Sequence, residues 1–203
     1  MDSPRLKDLM ERGSPVCVSL SHEDAPTTDA LFCELVQRAR YGESFHISSQ
    51  GCPVGSYILG KSDASPRDYY AASGRYRDKR AAGRAANVLP RLQRSYTSIR
   101  IFPYGDSPEF LAVILFLRPA KAMLVVQALS FNDGRRVVCA NGGTASVCGD
   151  CTAYPIETHR AGISVGCRGS RKHSGYGDEE MVVGVPHTLV EKIESGLERL
   201  LMT

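Results

Sequence analysis

Tryptophan is absent from the 203 residues, which removes one common anchor for stacking sugars or bases. Long apolar runs are absent as well. The longest, residues 111–117, has the length of a buried strand and falls far short of the ~20 residues a membrane-spanning helix needs. The opening Met1-Asp2-Ser3-Pro4-Arg5 lacks the charged-then-apolar pattern of a secretory leader, so a cytoplasmic setting is expected. Basic and acidic residues nearly balance: a net +3 is too little to argue for nucleic-acid binding from global electrostatics. The glycine-rich Asn141-Gly142-Gly143-Thr144 has neither the P-loop lysine nor the full dinucleotide fingerprint. His46, His159, His173 and His187 show no nucleophile–base–acid spacing.

What is present suits one domain over residues 1–203, long enough to bury a real core. Hydrophobic residues at 42% and charged residues at 23% match an ordinary soluble protein. Alternating apolar runs predict strands over 16–20, 44–48, 96–102, 111–117, 135–140, 161–166 and 180–185. Helical spacing predicts helices over 6–12, over 28–41 with Thr28 as cap, over 119–131, and over 188–201 with Thr188 and Glu191 as a capping box. The expected fold is α/β or α+β, a mixed sheet with flanking helices. A shared order of strand, helix, strand and cysteine turn predicts two pseudo-symmetric repeats, 15–103 and 109–203, with Cys52 and Cys148 at equivalent positions. The basic stretch 75–94, interleaved with tyrosines, reads as a solvated helix face.

Chemistry is concentrated in the seven cysteines, an odd number that argues against a disulfide framework in a cytosolic chain. Cys17, Cys33 and Cys139 fall on apolar strand or helix positions and read as core. Four others stand in glycine-containing turns. Cys52 lies between Gly51 and Pro53, Cys148 and Cys151 form one C-x-x-C pair, and Cys167 follows Gly166. Thiolates favour zinc or iron–sulfur clusters. A structural zinc site ordinarily uses two close pairs, and here there is one. The scattered glycine turns favour an iron–sulfur cluster, of the 4Fe-4S type, over zinc; a set of reduced thiols without metal is the third reading. Three ligands would leave an open iron acting as a Lewis acid, whereas four would suit electron transfer with a redox partner. Arg168, Arg171, Lys172 and His173 crowd Cys167, and Arg168, Arg171 and Lys172 above all are expected to receive a small anionic molecule through its carboxylate or phosphate. A different class of function is a non-enzymatic zinc- or thiol-containing module that binds through the basic stretch 75–94.

Several of these segments together resemble a known family. They are Gly51-Cys52-Pro53-Val54-Gly55, Pro119-Ala120-Lys121-Ala122-Met123, Val147-Cys148, Gly166-Cys167-Arg168-Gly169-Ser170-Arg171 and Tyr176-Gly177-Asp178-Glu179-Glu180-Met181. They are similar to the domain of unknown function 169 family, and the likeness spans nearly the whole chain. The resemblance implies cysteines at Cys52, Cys148 and Cys167, without settling Cys151, and an association with archaea and anaerobic bacteria. It implies no activity.

Overall fold

A computed structural model describes residues 6–201. Its frame is one six-stranded sheet: β1 (Val16–Ser21), β2 (Phe45–Ile47), β3 (Ser98–Pro103), β4 (Ala112–Leu117), β5 (Gly162–Ser164) and β6 (Met181–Pro186), in the order β2-β3-β1-β4-β6-β5. All five strand pairings are antiparallel. The isolated bridge Thr27–Ser49 is parallel. The expected layering of helices on a sheet is present.

Position in the sheet follows from sequence pattern. The run Ala-Val-Ile-Leu-Phe-Leu of β4 is apolar at every position, and every residue is buried, because helices cover both faces of this central strand. On one face Val16, Val18, Ile99, Ile101, Ile114 and Phe116 pack with α1 (Phe32–Arg40), α2 (Pro53–Ile58), α3 (Arg67–Ala72) and α4 (Lys79–Asn87). A π-helical segment, Ser146–Ala153, completes that layer and runs into α6 (Tyr154–Thr158). On the other face Cys17, Val113, Leu115, Val183 and Val185 pack with α5 (Pro119–Ser130) and α8 (His187–Leu201). The short helix α7 (Arg168–Ser174) packs against α1. Among the described residues no helix is long and apolar enough to cross a membrane.

Three sequence expectations are corrected. Residues 135–140 form no strand: the side chains of Cys139 and Asn141 take the carbonyls of Ala161, just before β5, and of Ile163 within it, which a strand's own N–H groups would have used. The helix expected from Thr28 begins at Phe32, because the Thr28 hydroxyl instead accepts from the Ala30 N–H in a tight turn. At the N-terminus a 3-10 turn, Leu6–Leu9, stands in place of a helix over 6–12.

One ion pair joins the two halves of the chain inside the core. Arg40, at the end of α1, meets Glu180 at 2.5 and 3.2 Å, and both side chains are almost wholly buried. The guanidinium also lies over the Phe116 ring at 4.9 Å and donates to the Arg12 carbonyl. Burial pushes the Glu180 carboxyl up, but the hydrogen bonds from Arg40 and from the Gly177 N–H outweigh it and hold the group below its ordinary value. Its charged form is therefore favoured by folding. That stability is fully present above the unfolded value, ~4.3, and is lost as pH falls through the lower folded value. Arg40→Met, which leaves the buried carboxylate only the half-exposed Arg12 as a cationic partner, is expected to cost about 3–5 kcal/mol in urea denaturation at pH 7. The Arg40→Met/Glu180→Gln double variant should recover much of that loss. An Arg40→Met cost below about 1 kcal/mol would show that the pair is not the clamp described.

Candidate functional site: a four-thiol cavity

Four thiols from four separate segments line one cavity of about 260 Å³: Cys33, Cys52, Cys148 and Cys167. Cys33 stands in the first turn of α1. Cys52 caps α2, its sulfur accepting the Gly55 N–H at 3.5 Å. Cys167 caps α7, its sulfur accepting the Ser170 N–H at 3.3 Å while the Ser170 hydroxyl accepts the Cys167 N–H at 3.2 Å. Cys148 comes from the π-helical segment.

The segments are tied to one another as well as to the sheet. Gln50 is buried, and its side-chain carbonyl accepts the N–H of both Cys52 (2.8 Å) and Phe32 (3.3 Å), locking the Cys52 turn to the start of α1. Tyr176 bonds the Ser170 hydroxyl at 2.8 Å, which steadies the Cys167 cap from beneath. The π-helical backbone lies directly on the sheet: a methyl at Gly162 would overlap the Asp150 carbonyl, and one at Gly184 would overlap the Cys151 backbone. Glycine at these two strand positions is what permits that approach.

Burial, followed by the neighbouring Cys167 and Cys52, pushes the Cys33 thiol up to about 12. The same causes, burial first and then Cys52, Cys167 and Cys33, drive Cys148 well above the ordinary thiol value. These two thiols are therefore protonated at neutral pH when no cation is near. Among the described residues, no carboxylate lines the cavity. Its charged or ionisable side chains besides the thiols are Tyr69, Arg75 and His173. Arg75 is held over the Tyr69 and Tyr70 rings at 5.3 and 5.9 Å. Among the described residues, no three His, Cys, Asp or Glu side chains are drawn together closely enough to hold a single metal ion.

The structure brings together Cys52, Cys148 and Cys167 of the sequence-predicted set and leaves Cys151 outside. The Cys151 sulfur is fully buried and points to the Val182 carbonyl at 3.4 Å. The reason is local: Asp150 N–H bonds the Ala145 carbonyl five residues back, and in so wide a turn residues three apart no longer share a face. Cys33, read from its helical spacing as core, takes the fourth place. Arg171 is internal. It donates to the carbonyls of Val165, Gly177 and Glu180 and lies over Tyr176, holding the loop that follows α7. Arg168 and Lys172 are exposed and do not line the cavity. Cys52 and Cys148 do not occupy matching places in the element order either. Cys52 follows β2 and caps a helix, and the residue that follows β5 and caps a helix is Cys167. No spacing signal marks Cys33; His173 belongs to the basic group beside Cys167 and Arg75 to the basic stretch, and Gln50 and Ser170 each lie within reach of a cysteine turn.

The profile of the uncharacterised ArCR family, domain of unknown function 169, matches residues 6–196. The chain belongs to this family. It is also 26% identical to an uncharacterized protein of Methanocaldococcus jannaschii, over 97% of this chain and 92% of that one. No solved structure gives a significant match. The family match takes in all four cavity thiols as well as Cys151.

Alkylation checks the electrostatics directly. In the metal-free chain, labelling of Cys33 by iodoacetamide, followed by peptide mass spectrometry, is expected to rise about tenfold per pH unit from pH 8 to 10. A rate that levels off by about pH 9 would mean an unperturbed thiol and a different pocket.

Proposed function

We propose that the chain is a cytosolic iron–sulfur protein in which Cys33, Cys52, Cys148 and Cys167 hold one cluster of the 4Fe-4S type. The observation that carries this reading is the convergence of four thiols, and no carboxylate, on one cavity. Soft thiolates select zinc and iron–sulfur groups over magnesium or calcium. Tetrahedral zinc draws its sulfurs to ~2.3 Å from a single point. The described ligands are not gathered that way, and their placement around a cavity better suits a wider, polynuclear group. Four thiolates in so enclosed a space would repel one another, and an iron core offsets that repulsion while displacing their protons.

The group, when bound, supplies one-electron exchange. The chain's own residues do the rest: amide N–H groups of Gly55 and Ser170 stabilise the Cys52 and Cys167 sulfurs, and Leu31, Phe32, Val54 and Val147 shield the cavity from water. A full set of four protein ligands favours electron transfer over Lewis-acid chemistry at an open iron. Arg75 and His173, in place of Arg168, Arg171 and Lys172, stand where a small anionic molecule or the acidic surface of a one-electron partner would meet the site.

The reading also treats 15–103 and 109–203 as related halves. Strand order supports it: β2-β3-β1 from one edge is answered by β5-β6-β4 from the other. On this basis Cys52 corresponds to Cys167, and Cys33 to Cys148. The alternative, a zinc or thiol module binding through 75–94, has weaker support. Arg91 pairs with Asp63, Arg94 with Glu157 and Arg77 with Asp78, which leaves Lys79, Arg80 and Arg84 on α4 as the exposed cations such a surface would rest on.

Anaerobic purification should give a brown protein with broad absorption near ~400 nm and matched iron and sulfide. Serine at Cys33, Cys52, Cys148 or Cys167 should lower cluster content severalfold, whereas Cys151→Ala should retain it. A colourless protein without iron after reconstitution sinks the proposal. Loss in Cys151→Ala together with retention in Cys33→Ser would replace the ligand set with the one expected from sequence.

A further inference from the structure

A second cavity, of about 390 Å³, lies apart from the thiols and plays no part in the proposed cluster site. Three separate stretches form it: the turn after α5, the end of α6 and one side of α8. Arg135, Arg136, His159, Arg160 and Lys192 line it, with Asp133 as the carboxylate among them. Four permanent cations against one acid put as much positive charge here as the whole chain's net +3.

That acid is already committed. One Asp133 oxygen accepts the Arg135 backbone N–H at 3.0 Å, and the other faces the Lys192 ammonium at 3.3 Å. These bonds, the backbone one foremost, hold the Asp133 carboxyl below its ordinary value and so keep it charged. Among the described residues no carboxylate lies within ion-pair distance of the side chains of Arg135, Arg136 or Arg160. The backbone is shaped to deliver them. Gly134, at φ +63°, closes the turn on the Ser130 carbonyl just before Arg135 and Arg136. His159 ends α6 in the left-handed conformation, φ 56°, an uncommon one for a non-glycine residue, and Arg160 follows it directly. A solvated basic face runs along a single helix, whereas here cations from three segments surround one concavity.

We propose that this cavity binds a small organic phosphate carrying at least two phosphate groups. Guanidinium groups pair bidentately with phosphate oxygens. Val138, 70% exposed, and Leu189 give the cavity an apolar wall for the organic part of such a ligand. Nucleic acid offers the same phosphates, but a strand needs an extended basic track with stacking aromatics, and the lining here has no aromatic ring beyond His159.

The test is isothermal titration of the full chain with inorganic pyrophosphate at low salt, in parallel with a single-stranded oligonucleotide. Saturable pyrophosphate binding is expected, weakened about tenfold by Arg136→Gln and by Arg160→Gln. Arg80→Gln, on α4 and outside the cavity lining, should leave it unchanged. No saturable binding up to ~10 mM overturns the proposal. So does equal weakening by Arg80→Gln, or binding of the oligonucleotide without binding of pyrophosphate. Iron content of the same samples reports separately on the thiol site.

Discussion

Arg40 and Glu180 form the contact on which the arrangement of the site depends. They lie 140 residues apart in sequence and meet in a space that water does not reach. Removing Arg40 leaves the Glu180 carboxylate with only the Gly177 N–H and the half-exposed Arg12, 3.6 Å away, and removing Glu180 leaves a buried guanidinium without its carboxylate, so the two elements they belong to cannot drift apart cheaply. Arg40 ends the helix that begins beside Cys33, and Glu180 ends the loop that begins at α7, whose cap is Cys167. The same bond that closes the core therefore fixes the separation of two cavity thiols. Arg171 works with it from inside the loop, spending its donors on three backbone carbonyls.

The other two thiols are fixed by backbone contact. The π-helical segment rests on β5 and β6 where glycines leave room for it, and Gln50 fastens the Cys52 turn to α1. The thiols are thus held as a connected set, Cys33 being tied to Cys52 through Gln50 and to Cys167 through the Arg40–Glu180 pair. This placement raises the Cys33 and Cys148 thiols by burial, while amide donors are aimed at the sulfurs of Cys52 and Cys167. Such a pocket is poor at holding free thiolates and well suited to thiolates that share a cation.

Much of the sheet was legible in the sequence because its pattern is local. The continuous apolar run of β4, the alternation in β1 and Pro119 at the first turn of α5 each state their structure within a few residues. The edge near residues 135–140 was misread because alternation cannot reveal whether a partner strand is free, and here side chains occupy it. The site was half legible. Glycine turns marked Cys52, Cys148 and Cys167. The C-x-x-C spacing pointed to Cys151 on the assumption of an ordinary turn, and the wider π-helical geometry separates that pair. Cys33 looks like any apolar helix residue, since nothing nearby in sequence records what lies across the cavity from it. Arg75 and His173 are visible as members of basic clusters, but sequence does not tell which member of a cluster turns toward the cavity; Arg171, equally conspicuous, holds backbone carbonyls instead.

The four cavity thiols come from segments scattered across most of the chain, with almost a hundred residues separating Cys52 from Cys148. Any group that bridges them acts as a cross-link, closing a loop whose entropy in the unfolded chain is large. A disulfide spanning such a length is worth roughly 4–5 kcal/mol by that effect alone. Whatever occupies the cavity would therefore be a structural rivet for both halves of the molecule, and its loss would loosen the entire fold, not one corner of it.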